Sequence, residues 1–297
     1  MLWLTIIIFA YFLNAVATTT DKFLLSQRIS NPAVYAFFIS VLSLLGVVII
    51  PFGFKLTYSP WQISIDLASG VIFALAYLFM FQALSKNEAS RITPFMGGWQ
   101  PIFVLVLALI FLGEKLSLNG FLAFFLILLG TGVISRQKAT VKSRQGYALA
   151  LVATLLFAIS YTLSKYIFVS QDFVTAFVWA RVGTFLGALL FLFSAANRRD
   201  IIKEIRQPQK QTSSLFIFGQ ACGALSFILV NYAIAISQSV AIINALRGLE
   251  YVFLLIIVVS LSVKYPKILK EKFTSKILAQ KIIATTLIII GLSLLFI

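Results

Sequence analysis

Three charged side chains of this 297-residue chain fall inside long apolar runs, where a charge is costly. Arg181 lies in a run near 173–194, and Arg247 and Glu250 lie in a run near 240–263. A charge at the centre of a membrane-spanning helix costs about 2.5–3.5 kcal/mol on insertion scales. Arg247 and Glu250 are three residues apart, so they share one helical face and can pair. Arginine donates two parallel hydrogen bonds to a carboxylate or phosphate. The three residues predict an anion or zwitterion site, and a structural ion-pair cluster is the alternative.

Further polar and aromatic residues within or at the ends of apolar runs could line the same solute site. Each has a structural alternative, because lysines often extend to the membrane interface and amides often bond between helices. Aromatic rings in such helices often serve only as packing. The additional candidates for solute binding are Asn14, Lys22, Tyr77, Trp99, Gln100, Lys165 and Asn231.

The composition removes several classes of chemistry. The chain has no His and a single Cys, Cys222, so imidazole bases, His metal ligands and a disulfide framework are excluded. Glu250 is taken as the only acid deep in an apolar run, so a nucleophile with a facing base is also missing. We therefore expect no catalytic residues, no metal site, no cofactor and no enzymatic activity.

Hydrophobicity and charge place the chain in a lipid bilayer. Hydrophobic residues make up 61% of it and charged residues only 11%, whereas soluble domains carry about 25% charged residues. The net charge of +15 comes from Lys and Arg that lie mostly in short connections between the runs. This pattern indicates membrane orientation and attraction to anionic head groups. The expected partners are the lipid bilayer and a small-molecule solute, and not nucleic acid.

Ten apolar runs are long enough, or nearly so, to cross a hydrocarbon core about 30 Å thick with roughly 20 helical residues. The first run lacks the positive segment of a signal peptide and is predicted to stay as a helix. We predict an all-α integral membrane protein with ten transmembrane helices and, from the Lys/Arg bias, both termini outside. The runs lie near 2–21, 33–52, 64–84, 92–112, 118–135, 146–164, 173–194, 214–236, 240–263 and 281–297.

The two halves of the chain, 1–137 and 145–297, can be aligned as two copies of one five-helix unit. The shift grows along the chain from 143 to 161 residues, which places insertions in connections. Five is odd, so the second copy is predicted to enter the membrane inverted. Shared hydropathy without common ancestry is the alternative. At a shift of 161 the aligned residues are Ala123, Leu126, Ile127 and Gly130 with Ala284, Leu287, Ile288 and Gly291.

Short motifs in the first half carry a resemblance to a known family. They are Phe81-Gln82-Ala83-Leu84, Pro101, Leu112-Gly113-Glu114-Lys115-Leu116 and the stretch from Phe124 to Gly132. These motifs resemble the EamA repeat of the drug/metabolite transporter superfamily. In that resemblance Lys22 and Lys165 match a lysine that often closes the first helix of each repeat, and Arg181 matches an arginine of the second helix. The second half departs from the pattern, since Lys264 occupies the place of Glu114.

The resemblance implies a secondary transporter in the cytoplasmic (inner) membrane of the cell, with export as the usual direction. We predict that it moves a small anionic or zwitterionic metabolite, such as an amino acid, by alternating access. The solute site is expected at mid-depth between the repeats. The alternative is a lipid-linked sugar flippase or an accessory subunit of the same superfamily. Gly97, Gly98 and Pro101 predict a weak point at the start of the fourth helix.

Overall fold

The computed structural model describes residues 2–25, 31–55, 58–86, 89–134, 144–206, 214–264 and 275–294. Every regular element in these ranges is helical. A 3₁₀ helix over Ser43–Phe52 continues α2, a π-helical turn over Ala108–Leu112 continues α4, and a 3₁₀ turn over Phe191–Phe193 continues α7. The α-helices are α1 (Leu2–Leu25), α2 (Pro32–Leu42), α3 (Pro60–Lys86), α4 (Ala89–Leu107), α5 (Leu118–Ile134), α6 (Arg144–Ser170), α7 (Phe173–Leu190), α8 (Ala195–Arg206), α9 (Ser214–Ile236), α10 (Val240–Ala245), α11 (Gly248–Lys264) and α12 (Ser275–Leu294).

Seven of the described helical stretches are long and apolar enough to cross a membrane. Two shorter apolar helices, Leu118–Val133 and Ile282–Gly291, accompany them. The prediction of an all-α, multi-pass membrane protein is confirmed, while the ten-helix inverted arrangement stays a prediction. The seven stretches are Leu2–Thr20, Pro32–Phe52, Pro60–Lys86, Phe95–Leu112, Arg144–Ser170, Phe173–Phe193 and Ile217–Ile236.

The second span combines two kinds of helix. α2 begins with Pro32 at its first position, and the side chain of Asn31 accepts a hydrogen bond from the N–H of Ala33. Its 11 residues rise about 16 Å at 1.5 Å per residue. The 10-residue 3₁₀ continuation adds about 20 Å at 2.0 Å per residue. The 21 residues therefore rise about 36 Å, which exceeds a hydrocarbon thickness of about 30 Å.

The chain divides into two compact units, and each unit takes helices from both halves of the sequence. The first unit comprises Met1–Gln27, Glu114–Lys138 and Thr212–Ile297, and the second comprises Arg28–Gly113 and Ala139–Gln211. The units are defined by packing and the repeats by sequence. The repeat boundaries at 137 and 145 therefore remain a prediction.

In the first unit, α1 packs along α9 and α11, and α5 packs along α12. Glycines make the α5–α12 contact close. A Cβ added to Gly130 would lie 2.7 Å from Ile288 Cγ1, and one added to Gly291 would lie 2.7 Å from Ile127 Cγ1. The contact is reciprocal, because the sequence alignment pairs Gly130 with Gly291 and Ile127 with Ile288. A local two-fold relation between these helices is the arrangement that an inverted repeat would produce.

In the second unit, α3 packs against α6, α7 and α2. Small residues bring α3 and α7 into backbone contact, as is common in membranes. A Cβ on Gly70 would lie 2.0 Å from the carbonyl oxygen of Ala180, and one on Gly183 would lie 2.3 Å from that of Leu67. At these two positions only glycine permits the observed separation of the helices.

The predicted weak point of the fourth helix is not where the chain breaks. α4 runs without interruption through Gly97, Gly98 and Pro101. The interruption lies instead in the ninth apolar run, where α10 ends at Ala245 and α11 begins at Gly248. Neighbouring helices and local adjustments satisfy the backbone groups that a proline frees in a membrane helix.

Replacing Gly130 by Ala should lower the free energy of unfolding by about 1–3 kcal/mol, because overpacking forces the helices apart. The new Cβ would face Ile288 Cγ1 at 2.7 Å and the backbone oxygen of Ala284 at 2.8 Å. Gly132→Ala in the same helix is the control, since no atom lies within 4 Å of its Cβ position. The control should be neutral or more stable by up to about 1 kcal/mol. Unfolding of the purified variants in mixed micelles measures both, and equal destabilisation would contradict the packing.

Candidate functional site

The ninth apolar run is interrupted after a single short helix. Leu246 and Arg247 form a turn, in which the N–H of Arg247 bonds to the carbonyl of Asn244 at 3.3 Å, three residues back. Gly248 follows, and a Cβ there would lie 2.1 Å from Thr131 Oγ1 on α5. The turn therefore sits where the chain passes closely over α5. A discontinuous membrane helix is a recurring feature of solute sites in transporters.

The start of α10 is fixed by two side chains. Ser239 Oγ accepts a hydrogen bond from the N–H of Ile242 at 3.2 Å, and Glu114 Oε1 accepts one from the N–H of Val240 at 2.8 Å. A carboxylate is favourable at a helix N-terminus because it meets unpaired N–H groups. Glu114, which belongs to the Leu112–Leu116 motif, therefore caps α10.

The charged pair predicted in the ninth run is present at the interruption. Arg247 Nε lies 3.6 Å from Glu250 Oε2, and the side chains are 37% and 8% exposed. Thr18 on α1 donates its hydroxyl to Glu250 Oε1 at 3.1 Å. The glutamate is thus held on both oxygens, whereas the arginine reaches toward a more open environment.

One face of α1 lies against this interrupted run. Tyr11 donates its hydroxyl to the carbonyl of Ile243 at 2.9 Å, and Thr18 contacts Glu250 one turn further along. Asn14 is three residues after Tyr11 and four before Thr18, so it lies on the same helical face. The first unit therefore brings together Arg247 and Glu250 of the predicted set, and Asn14 lies on the face of α1 whose Thr18 contacts Glu250.

Two other predicted residues of the first unit stand apart from this group. Asn231 on α9 is buried and donates its amide to the carbonyl of Phe227 at 2.9 Å, one turn earlier in its own helix. That bond favours the structural role for Asn231. Lys22 belongs to the last turns of α1, but its side chain lies outside the described residues.

Arg181 on α7 is the buried charge of the second unit and is 5% exposed. Its guanidinium carbon lies 5.2 Å from the ring centroids of both Phe73 and Phe177, a distance typical of cation–π contact. Tyr77 packs edge-on to Phe73 with ring centroids 4.9 Å apart. Tyr161 packs edge-on to the same ring with centroids 6.0 Å apart. Among the predicted residues the structure therefore brings Arg181 and Tyr77 together around one aromatic ring.

The remaining predicted residues of the second unit occupy different environments. Lys165 on α6 is buried at 7% exposure, which does not fit a lysine that extends to water. Gln100 on α4 is buried as well, at 3% exposure. Trp99 is 42% exposed and packs between Phe95 and Phe103 along one face of α4. Trp99 is the member of the set that a packing role explains best.

Sequence reasoning missed several polar and aromatic residues that the structure brings into account. Glu250 is not the only acid inside a span, because Asp66 on α3 is fully buried. The sequence could have identified Asp66, because an Asp between Ile65 and Leu67 is a charged residue within the third apolar run. The partners Thr18 and Phe73 gave no such signal, because only the packing of separate helices reveals them.

Outside the spans, Asp172 organises the connection between α6 and α7. Its Oδ1 accepts the N–H of Thr175 at 3.0 Å and its Oδ2 accepts the hydroxyl of Tyr58 at 2.8 Å. Burial works to raise the pKa of Asp172, but these hydrogen bonds and the charge of Lys55 hold the pKa below its ordinary value. Asp172 is therefore an ionised N-cap of α7.

Comparisons with known proteins agree with this architecture. Residues 1–136 match the model of the EamA-like transporter family. One solved crystal structure matches with a TM-score of 0.69 at 14% identity, over 98% of this chain and 94% of the other. At that identity the likeness shows the fold alone. No curated protein matches the chain.

The seven apolar helical stretches indicate a multi-pass membrane protein, and the family match of residues 1–136 supports a transporter. Residues 1–136, a little less than half of the chain, are similar to the EamA-like transporter family, which agrees with the resemblance to the drug/metabolite transporter superfamily that the motifs indicated. The family match ends at residue 136, so the second repeat remains a prediction.

The hydrogen bond from Thr18 to Glu250 should appear as a coupling free energy in a double-mutant cycle. Thr18→Val keeps the side-chain shape and removes the donor, and Glu250→Gln removes the charge. Because a hydrogen bond to a charged group contributes about 1.5–3 kcal/mol, we expect a coupling of that size in unfolding experiments.

Thr19→Val provides the matched control for this cycle. Thr19 is the next residue on α1, and its hydroxyl bonds to the carbonyl of Ala15 in the same helix at 2.7 Å. Its coupling with Glu250→Gln should be within about 0.5 kcal/mol of zero. Equal couplings for Thr18 and Thr19 would contradict the contact.

Proposed function

We propose that the chain is a secondary transporter that moves a small anionic or zwitterionic metabolite, such as an amino acid, across the cytoplasmic membrane. Export by alternating access is the proposed mode, with the solute exposed to each side in turn. The observation that carries the proposal is the interrupted ninth run, which places Arg247 and Glu250 where the hydrogen bonds of the α-helix are replaced by bonds to carbonyls three residues back.

Arg247 supplies the positive charge at the interruption. The N–H groups of Leu249 and Glu250, in the first turn of α11, already donate to the carbonyls of Leu246 and Arg247 at 2.9 and 3.0 Å. The guanidinium of Arg247 directly precedes this turn. A solute carboxylate or phosphate would bind that guanidinium through two parallel hydrogen bonds.

Glu250 acts as a replaceable partner in this proposal. The Nε–Oε2 distance of 3.6 Å exceeds the 2.7–2.9 Å of a close charge-assisted hydrogen bond. A solute carboxylate that binds Arg247 bidentately would therefore displace a loose contact. The ammonium group of a zwitterion would then find Glu250 three residues along the same face. Together the two side chains favour an amino acid over a simple anion.

The polar face of α1 would orient the bound solute. Tyr11 and Thr18 are engaged with α10 and α11 through hydrogen bonds of 2.9 and 3.1 Å. Asn14 lies between them and carries both a donor and an acceptor. A few placed polar groups in an apolar surrounding are what confers specificity in small-molecule sites.

Arg181 would serve the second unit as a fixed positive charge. The rings of Phe73 and Phe177 hold its guanidinium without neutralising it. Such a residue attracts anionic solutes, and its retention in a span where charges are expensive is characteristic of function. The proposed repeats, 1–137 and 145–297, gain support from the reciprocal α5–α12 contact.

Transport in proteoliposomes tests the proposal. Purified protein would first be screened by thermal shift against carboxylate- and phosphate-bearing metabolites, and the strongest stabiliser would then be used as a labelled solute. Arg247→Gln and Glu250→Gln should each reduce the ratio kcat/KM by at least about 10-fold, because a hydrogen bond to a charged group contributes about 1.5–3 kcal/mol and about 1.4 kcal/mol corresponds to tenfold.

Arg198→Gln is the matched control, since Arg198 is an exposed arginine on α8 outside the spans. This variant should transport at the wild-type rate. Normal transport by both Arg247→Gln and Glu250→Gln would show that the solute binds elsewhere. A stabilising solute that is neutral would overturn the predicted substrate class.

A further inference from the structure

A carboxyl and an amide meet in the second unit, at the end where α3 begins and α6 ends. Asp66 is the seventh residue of α3 and is fully buried, and Gln171 directly follows α6 and is 9% exposed. Gln171 Nε2 donates a hydrogen bond to Asp66 Oδ1 at 3.1 Å. Neither residue belongs to the solute site proposed above.

The second oxygen of each group is buried without a donor. Among the residues that the structure describes, Asp66 Oδ2 and Gln171 Oε1 accept no hydrogen bond and are shielded from solvent. A buried acceptor left unsatisfied costs about 1–3 kcal/mol, and a charged one costs more. Two such atoms on partners already joined by one hydrogen bond are unusual, because buried polar groups are nearly always satisfied.

One proton satisfies both atoms. A neutral carboxyl gains an O–H donor on one oxygen while the other remains an acceptor. An amide presents the complementary donor and acceptor in the same plane. If Asp66 carries a proton on Oδ2, the two groups close a ring of two antiparallel hydrogen bonds, and no charge stays buried. We propose that Asp66 and Gln171 form a proton-binding site that holds one proton between carboxyl and amide.

Other ionisable side chains lie at the same end of the second unit or on the elements that pack against α3. Tyr58 and Asp172 are at the same end, where Tyr58 donates its hydroxyl to Asp172 Oδ2 at 2.8 Å. Asp172 directly follows Gln171 and is ionised, so it opposes a second negative charge nearby. Further ionisable residues on these elements include Tyr35 on α2, Tyr161 and Lys165 on α6 and Arg181 on α7, and Lys55 precedes α3.

Release of the proton would change the α3–α6 contact. The ionised carboxyl can only accept hydrogen bonds. Its Oδ2 and Gln171 Oε1 would then be two facing acceptors with no hydrogen between them, and they would repel each other. Three residues further along α3, Ser69 bonds to Ser160 and Ser164 of α6, and these bonds do not depend on protonation. The helices would therefore part at the Asp66 end and stay joined at Ser69. For the transporter proposed above, and resting on that proposal, the proton would be a coupling ion.

Infrared spectroscopy tests the proton directly and needs no solute. Wild-type protein in nanodiscs should show the C=O stretch of a buried neutral carboxyl in mildly acidic buffer, and the band should disappear in alkaline buffer. The band should be absent at every pH in Asp66→Asn. It should persist in the control Asp172→Asn, because Asp172 is an ionised cap and Asn also caps helices well. Absence of the band from the wild type, or its persistence in Asp66→Asn, would overturn the proposal.

Thermal unfolding gives a second, independent reading. An Asn at position 66 offers an N–H donor and an oxygen acceptor, so it reproduces both hydrogen bonds without a proton. Wild type and Asp66→Asn should unfold at the same temperature in acidic buffer. In alkaline buffer the wild type should unfold at a lower temperature than the variant, since it then buries an unpaired charge. If Asp66→Asn were less stable than the wild type at every pH, Asp66 would be ionised in the fold and the proposal would fail.

Discussion

The hydrocarbon interior offers no water to polar groups, and this constraint determines where the polar side chains of the chain lie. Every donor and acceptor in a span must find a partner within the protein or raise the energy of the fold. Most hydroxyls meet the constraint locally, by bonding to a carbonyl one turn back. In the part of the chain that the structure describes, the threonines that do so are Thr19, Thr20, Thr131, Thr154, Thr162 and Thr184.

Polar groups that cannot be satisfied within their own helix mark the positions where helices are tied together. Thr18 reaches Glu250 on a different helix, and Ser69 reaches Ser160. Such ties exist only while the helices keep one arrangement. A transporter must change the arrangement of its helices, so a solute or proton that binds at these contacts can shift the equilibrium between its conformations. Threonines that bond within their own helix keep their hydrogen bonds in either conformation.

The sequence predicts the helices well because hydrophobic length alone decides what spans a bilayer. It also predicts the Arg247–Glu250 pair, since residues three apart share a face wherever the helix lies. The sequence does not predict where a helix is interrupted. Gly97, Gly98 and Pro101 are residue types that favour a break, whereas Leu246 and Arg247, where the break occurs, are not. A helix breaks where its neighbours compensate for lost hydrogen bonds, which is a property of packing. The aromatic partners of Arg181 and the burial of Asp66 depend on packing for the same reason.

The contact between α5 and α12 bears on whether the chain is a repeat. Aligned apolar residues are weak support in sequence, because any two membrane helices match by chance at many positions. A reciprocal contact is more demanding. Gly130 faces Ile288, and Gly291 faces Ile127. Because Gly291 is the equivalent of Gly130 and Ile288 is the equivalent of Ile127 at a shift of 161 residues, the two contacts are made by the same pair of equivalent positions. Two unrelated helices have no reason to place their close approaches at equivalent positions, whereas helices related by a two-fold axis must do so. The glycines that let the helices touch therefore also support their common origin.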